Sequence, residues 1–229
     1  MRNYAVRFRC FVFLTLLLHA GSIQPGFAAE PIDVCPRNGT AYIRTENLLC
    51  TYYANGKLER ELHLKNNEID GLAKNYYESG KIQVEQTYKD GKADGISKIY
   101  YESGKMQSEI LFNDGKPEGL GKKYYESGAL EEETPFKDGK QEGLSKGYYE
   151  NGKIHVEKPY KDGKAEGLVK IYYESGKMEA GIPYKDNKQV GLTKIYYESG
   201  KLMGETPYKN DKAEGISKAI AVRLRGLTC

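Results

Sequence analysis

The sequence predicts an all-β protein: an elongated antiparallel β-meander of stacked hairpins, largely a single-layer twisted sheet, following an N-terminal signal peptide. Three observations carry this. Tyrosine pairs begin at Tyr52, Tyr76, Tyr100, Tyr124, Tyr148, Tyr172 and Tyr196, with every gap 24 residues. A fixed period of that size marks stacked supersecondary units. Each unit holds two turn signals about eight residues apart, the length of a strand and too short for a stable helix. Between the turns apolar and polar residues alternate, as in a strand with two unlike faces.

Residues 1–29 read as the signal peptide. Arg2, Arg7 and Arg9 stand without an acid, Cys10 to Leu18 is apolar, and Gly26-Phe27-Ala28-Ala29 supplies small residues for cleavage. The apolar run is shorter than the roughly 20 residues that span a bilayer, which argues against a membrane anchor. Those arginines are also the whole of the apparent basicity. Of 35 basic and 32 acidic residues, what remains after residue 29 is balanced. Balanced charge gives no broad positive field for nucleic acid or anionic lipid.

Residues 30–48 are expected to cap the first sheet edge, since an open edge templates pairing with other chains. Beyond the leader stand Cys35, Cys50 and Cys229. In an oxidising compartment Cys35 and Cys50 are a candidate disulfide. Its loop of about 15 residues would contribute about 3 kcal/mol in the chain-entropy account. Spacing alone does not separate this from two free thiols, and Cys229 is left over.

Residues 49–218 form seven repeats of 24 residues. The first turn is Ser79-Gly80, with Asn55-Gly56, Ser103-Gly104, Ser127-Gly128, Asn151-Gly152, Ser175-Gly176 and Ser199-Gly200 in the other copies. The second is Asp90-Gly91, weakening to Asn66-Asn67, Asp186-Asn187 and Asn210-Asp211 elsewhere. Gly, Asn and Asp tolerate the positive φ of tight hairpin turns. After the first turn, Ile82, Val84, Gln86 and Tyr88 share one face, with Gln83, Glu85 and Thr87 on the other. Pro135, Pro159, Pro183 and Pro207 fall late in this strand and cannot donate to a ladder, so a strand end or bulge is expected there.

The preceding strand allows two registers. A three-residue loop with a glycine bulge sets Leu72 and Tyr76 with Ile82 and Tyr88. A two-residue loop sets Tyr77 there and places Lys74 opposite Glu85, with Lys98, Lys122 and Lys146 opposite Glu109, Glu133 and Glu157. The first is preferred because it gathers Leu72, Ile96, Leu120, Leu144, Leu168, Leu192 and Ile216 onto the apolar face. About 15 strands at ~4.8 Å give a sheet on the order of 70 Å long. Residues 219–229 form a tail without a tyrosine pair, and its Ala-Val-Arg-Leu-Arg stretch has the alternation of an edge strand.

The motif Tyr-Tyr-x-Ser/Asn-Gly-Lys, then Tyr/Phe-Lys-Asp-Gly-Lys, then x-Gly-Leu, resembles the variant of the MORN repeat, over Leu49 to about Lys218. The resemblance implies a stacked β-hairpin array used as a scaffold, a protein-binding surface or a lipid contact. Bacterial chains of this variant are often labelled antitoxin-like, a role the resemblance implies here only as an alternative. The absence of tryptophan and of the second Gly-x-Gly spacing departs from the better-known pattern and, with the balanced charge, argues against lipid.

Catalytic chemistry is not legible. His63 and His155 lie 92 residues apart, whereas metal ligands cluster. No His-Glu-x-x-His, Gly-x-Ser-x-Gly or phosphate-cradling glycine loop occurs. No catalytic or metal residue, cofactor or small-molecule substrate is therefore expected. The candidate interaction surface is the second tyrosine of each pair: Tyr77, Tyr101, Tyr125, Tyr149, Tyr173 and Tyr197. Exposed aromatic rows mark interaction surfaces, although cross-strand aromatic packing uses the same residues. The expected function is an exported, non-enzymatic scaffold binding another protein. An antitoxin or immunity role follows only from the resemblance. A choline- or cell-wall-binding role suffers from the lack of tryptophan, the best cation–π face.

Overall fold

The computed structural model describes residues 42–214 and 218–219. The expected leader, Cys35, Cys229 and the alternating stretch of the tail lie outside them. The strands are β1 (Tyr42–Arg44), β2 (Leu48–Tyr52), β3 (Leu58–Lys65), β4 (Glu68–Tyr76), β5 (Ile82–Lys89), β6 (Lys92–Tyr100), β7 (Met106–Asn113), β8 (Lys116–Tyr124) and β9 (Leu130–Lys137). Then come β10 (Lys140–Gln141), β11 (Gly143–Tyr148), β12 (Ile154–Lys161), β13 (Lys164–Ala165), β14 (Gly167–Tyr172), β15 (Met178–Lys185), β16 (Lys188–Gln189), β17 (Gly191–Tyr196), β18 (Leu202–Lys209), β19 (Lys212–Ala213) and β20 (Lys218–Ala219). All belong to one sheet, every pairing is antiparallel and joins strands next to each other or one apart in sequence, and no helix occurs among the described residues. Of the expected cap, residues 30–41 lie outside the described residues; β1 pairs with β2.

The second turn of each repeat has the geometry its residues suggest. Lys89 pairs with Lys92 across two residues, with φ 48° at Asp90 and 75° at Gly91. Two successive positive φ values define the type I′ turn, whose twist matches that of the flanking strands. Where glycine is replaced, Asn and Asp hold the same conformation, as at Asp186 (50°) and Asn187 (65°).

The first turn decides the register, and it combines features of both expected arrangements. Gly80 N–H donates to the Tyr77 carbonyl and Tyr77 N–H to the Lys81 carbonyl, both at 2.8 Å. This is the three-residue loop with Gly80 at φ 91°, and Tyr76 stands opposite Ile82. Immediately beyond, Asn75 pairs with Val84, so Gln83 is bulged out. One extra residue shifts everything after it by one position and exchanges the faces. Lys74 therefore meets Glu85, and Leu72 meets Thr87. The preferred placement of the Leu/Ile row on the packed face is overturned. Leu72, Ile96, Leu120, Leu144, Leu168 and Leu192 lie outward, from 37 % exposed at Leu72 to 52 % at Ile96, and Ile216 lies outside the described residues.

A further bulge follows the type I′ turns, at an acid–glycine step in most repeats and at Val190-Gly191 in one. Residues 142–145 face only Thr134 and Pro135 between the pairs Gln141–Phe136 and Lys146–Glu133. Glu142 N–H donates to the Pro135 carbonyl at 3.0 Å. The N–H and C=O of one strand residue point to the same side, so the donor missing from proline falls where the ladder is already interrupted. The prolines occupy bulges, one of the two places expected of them.

The face carrying Ala73, Gln86, Thr134, Ser145, Val169, Ala180 and Thr193 is the buried one. Among the described residues each strand touches only strands near it in sequence, so no second layer covers the sheet. Small side chains are instead covered by larger ones of the same face. A Cβ at Gly121 would stand 3.1 Å from Ile110 Cδ1 and 3.2 Å from Phe136 Cε2. At the first edge Leu48 and the fully buried Cys50 form a small core with Ile43, Tyr52 and Leu58. Cys50 is disulfide-bonded; the expected partner, Cys35, lies outside the described residues.

Gly167 tests the acid–glycine bulge. Its φ is 118°, and an added Cβ would lie 3.0 Å from Pro159 Cγ. Gly167→Ala should lower stability by about 1–3 kcal/mol, read as a drop in urea midpoint, while Glu174→Ala on an exposed turn should stay within about 0.5 kcal/mol.

Candidate functional site

The two tyrosines of each pair make different bonds. The second donates its hydroxyl to the backbone carbonyl of the first tyrosine of the next repeat: Tyr77 to Tyr100, Tyr101 to Tyr124, Tyr125 to Tyr148, Tyr149 to Tyr172 and Tyr173 to Tyr196, at 2.5–2.7 Å. These rings and that of Tyr197 are half-buried. The row singled out from the sequence as an interaction surface thus has hydroxyls committed to joining repeat to repeat, with only ring area left for a partner.

The first tyrosine turns to the other face. Tyr76, Tyr100, Tyr124, Tyr148 and Tyr172 donate to Glu61, Glu85, Glu109, Glu133 and Glu157 at 2.8–2.9 Å. Glu85, Glu109, Glu133 and Glu157 each pair in register with a lysine on both flanking strands, and Glu61 pairs with Lys74 on one side and Cys50 on the other. The result is an alternating column, Glu61, Lys74, Glu85, Lys98, Glu109, Lys122, Glu133, Lys146, Glu157, Lys170. Opposite charges directly across a ladder stabilise it, each pair by about 0.2–1 kcal/mol. Burial, then the hydrogen bond to Glu85, pushes the Tyr100 hydroxyl up to about 12. Burial also pushes the Glu157 carboxyl up, but the Tyr172 hydroxyl and Lys170 ammonium overcome it and hold it below its usual value.

Beside that column on the same face runs the outward Leu/Ile row. Each member is paired in register: Leu72 with Thr87, Ile96 with Leu111, Leu120 with Pro135, Leu144 with Pro159, Leu168 with Pro183 and Leu192 with Pro207. Leu111, Leu120, Leu144 and Leu168 are 43–47 % exposed. A contiguous apolar stripe bordered by charge is the pattern of an interaction surface. The sequence carried a signal for it: the opposite charges that align in the Lys74–Glu85 register recur in successive repeats, and that register sends the leucines outward.

Two shallow hollows of about 220 and 240 Å³ share Glu132 on the buried face. They lie where Gly121 and Gly147 replace the larger residues of other repeats. Glu132 accepts from Thr134 at 2.6 Å and Ser145 at 3.3 Å, and the two hydroxyls are 2.8 Å apart. His155 stacks on Tyr149 with centroids 4.4 Å apart, and His63 lies 3.6 Å from Glu61. No group of three or more His, Cys, Asp or Glu that could hold a metal occurs among the described residues.

The MORN repeat variant model matches the chain seven times, at residues 46–66, 69–90, 93–114, 117–138, 141–162, 165–186 and 189–210. The chain belongs to the MORN repeat variant family. Each match ends on the type I′ turn that separates one unit from the next, so the family's period is the structural period seen here. No curated protein matches the chain. In this MORN array the aromatic signature serves cohesion, and the apolar residues left facing solvent are Leu72, Ile96, Leu120, Leu144, Leu168 and Leu192, one in each unit after the first, where the equivalent Leu48 is buried.

Two outcomes follow from the tyrosine ladders. Tyr125→Phe leaves the Tyr148 carbonyl without its donor and should cost about 1 kcal/mol in urea denaturation. The Tyr100 hydroxyl is held above its unfolded value of about 10. The folded state therefore keeps a proton that the unfolded chain releases. Stability from this bond is full below pH ~10 and lost as pH rises toward about 12. Tyr100→Phe should show a shallower loss over that window, measured by circular dichroism in urea at each pH.

Proposed function

We propose that the chain is an exported, non-enzymatic scaffold of the cell envelope that binds another protein along the Leu/Ile–Pro stripe of its outer face. The observation that carries this is the stripe itself, apolar side chains presented outward at one position of six successive repeats, Leu72 to Leu192. Such a row costs solvation unless a partner covers it. Export is supported by the leader-like start of the sequence, and the scaffold role by quasi-one-dimensional repetition, which offers a long surface of identical rungs.

The spacing of the rungs favours one form of partner. Successive leucines stand two strands apart, about 9.6 Å at ~4.8 Å per strand. A polyproline II segment advances about 9.3 Å in three residues, while same-face residues of a β-strand are about 6.8 Å apart. A partner segment laid across the strands with an apolar side chain every third residue matches the rungs. An antitoxin role, the alternative that follows from family resemblance, gains no support from a particular residue.

Photo-crosslinking amino acids placed at Leu144 and Leu168, and at Tyr160 on the buried face, test this in the producing cell. The outer positions should trap a common protein that Tyr160 does not. No adduct at Leu144 and Leu168, or the same adducts from all three, would contradict the proposal.

A further inference from the structure

The alternating column breaks once among the described repeats, and the break lies beside the stripe. Where Glu157 and its equivalents stand in other units, the sixth carries Gly181. Gly181 is flanked in register by Lys170 on one side and Lys194 on the other, so two cations bracket a position that elsewhere holds a carboxylate.

The neighbours register the loss. Tyr172 donates to Glu157 at 2.9 Å, but Tyr196, its equivalent one repeat on, donates its hydroxyl to no described residue. Lys194 is exposed, whereas its equivalents Lys74, Lys98, Lys122, Lys146 and Lys170 are half-buried. The other charges near the gap are occupied or lie beyond it. Glu157 takes both Tyr172 and Lys170, and Glu205 stands across Lys194 on the next strand. A side chain at 181 is not strained: an added Cβ would make ordinary contact with Leu168 Cδ1 at 3.5 Å and Met178 Sδ at 4.0 Å, the two flexible side chains that lie over this buried glycine, and φ is not positive.

We propose that this notch receives an acidic side chain of the docked partner segment. The carboxylate accepts from the Tyr196 hydroxyl and lies between Lys170 and Lys194, as Glu157 does one repeat earlier. Five internal copies show the geometry this constellation adopts around a carboxylate. Charge complementarity fixes the occupant's chemistry, since two flanking ammonium groups repel a cation and gain nothing from a neutral residue. The inference rests on the stripe as the docking surface, and it adds register. A stripe of equivalent rungs lets a periodic partner slide, while one carboxylate position pins it next to Leu168 and Leu192.

The test uses two labelled synthetic peptides with leucine at every third residue and proline between, identical except for one central Glu or Gln. Their affinity for the full chain is read by fluorescence anisotropy at low salt. The Glu peptide should bind about threefold to tenfold tighter, the scale of one exposed charge-assisted contact. In Gly181→Glu, which completes the column from within, that preference should vanish while the Gln peptide binds as before. Equal binding of both peptides to the unaltered chain would overturn the notch and leave the stripe standing. Binding of neither peptide would overturn both. A Glu preference that survives in Gly181→Glu would place the carboxylate elsewhere and overturn the notch alone.

Discussion

The single bulged residue after each tyrosine turn governs what this sheet shows to solvent. Side chains on a strand have a period of two, so one extra residue on one strand exchanges the faces of every position beyond it. Gln83 and its equivalents are those residues. Because of them Lys74 meets Glu85, the leucines face outward, and small residues such as Ala73, Ser145 and Ala180 lie on the buried face. Without the bulge the leucines would join Val84 and Tyr88, and the outer face would be almost wholly polar.

Cohesion then falls to the tyrosines. A one-layer sheet has little depth in which to bury apolar surface, and the described core is made of small or polar residues apart from Leu48, Leu64 and Val169. Each pair from Tyr76-Tyr77 to Tyr172-Tyr173 adds two tyrosine hydroxyl bonds, one to a backbone carbonyl of the next unit and one to a glutamate of the preceding strand. Both run between neighbours, which suits an array whose stability is a sum over nearest-neighbour interfaces. The tyrosine pair is conspicuous in the sequence because every interface needs it, and for the same reason it reports little about a partner.

Much of the fold was legible because its signals are local. Asp90-Gly91 demands positive φ at two consecutive residues, and the type I′ turn is where that leads; Ser79-Gly80 likewise declares its glycine bulge. The prolines announced an interruption of the ladder, and they sit at one. The second bulge was not legible, because Gln83 is an ordinary strand residue and the choice between faces is made by the summed pairing of several strands. The outer stripe was lost with it. Two features pointed the other way: the alignment of Lys74, Lys98, Lys122 and Lys146 with acids one register over, and the presence of Ala73, Ser145 and Thr193 at positions that only a tight face requires. Gly181 was equally visible as a departure from the repeat, but its meaning depends on knowing that Glu157 and its equivalents receive a tyrosine hydroxyl.

The register can be tested directly by thiol reactivity at two adjacent residues. Leu144 is 43 % exposed and Ser145 is 6 % exposed. In separate variants of the folded chain, a cysteine replacing Leu144 should alkylate at nearly the rate of a free thiol, and one replacing Ser145 many times more slowly, with the difference abolished in denaturant. Protection of the cysteine at 144 and ready reaction of the one at 145 would contradict the account.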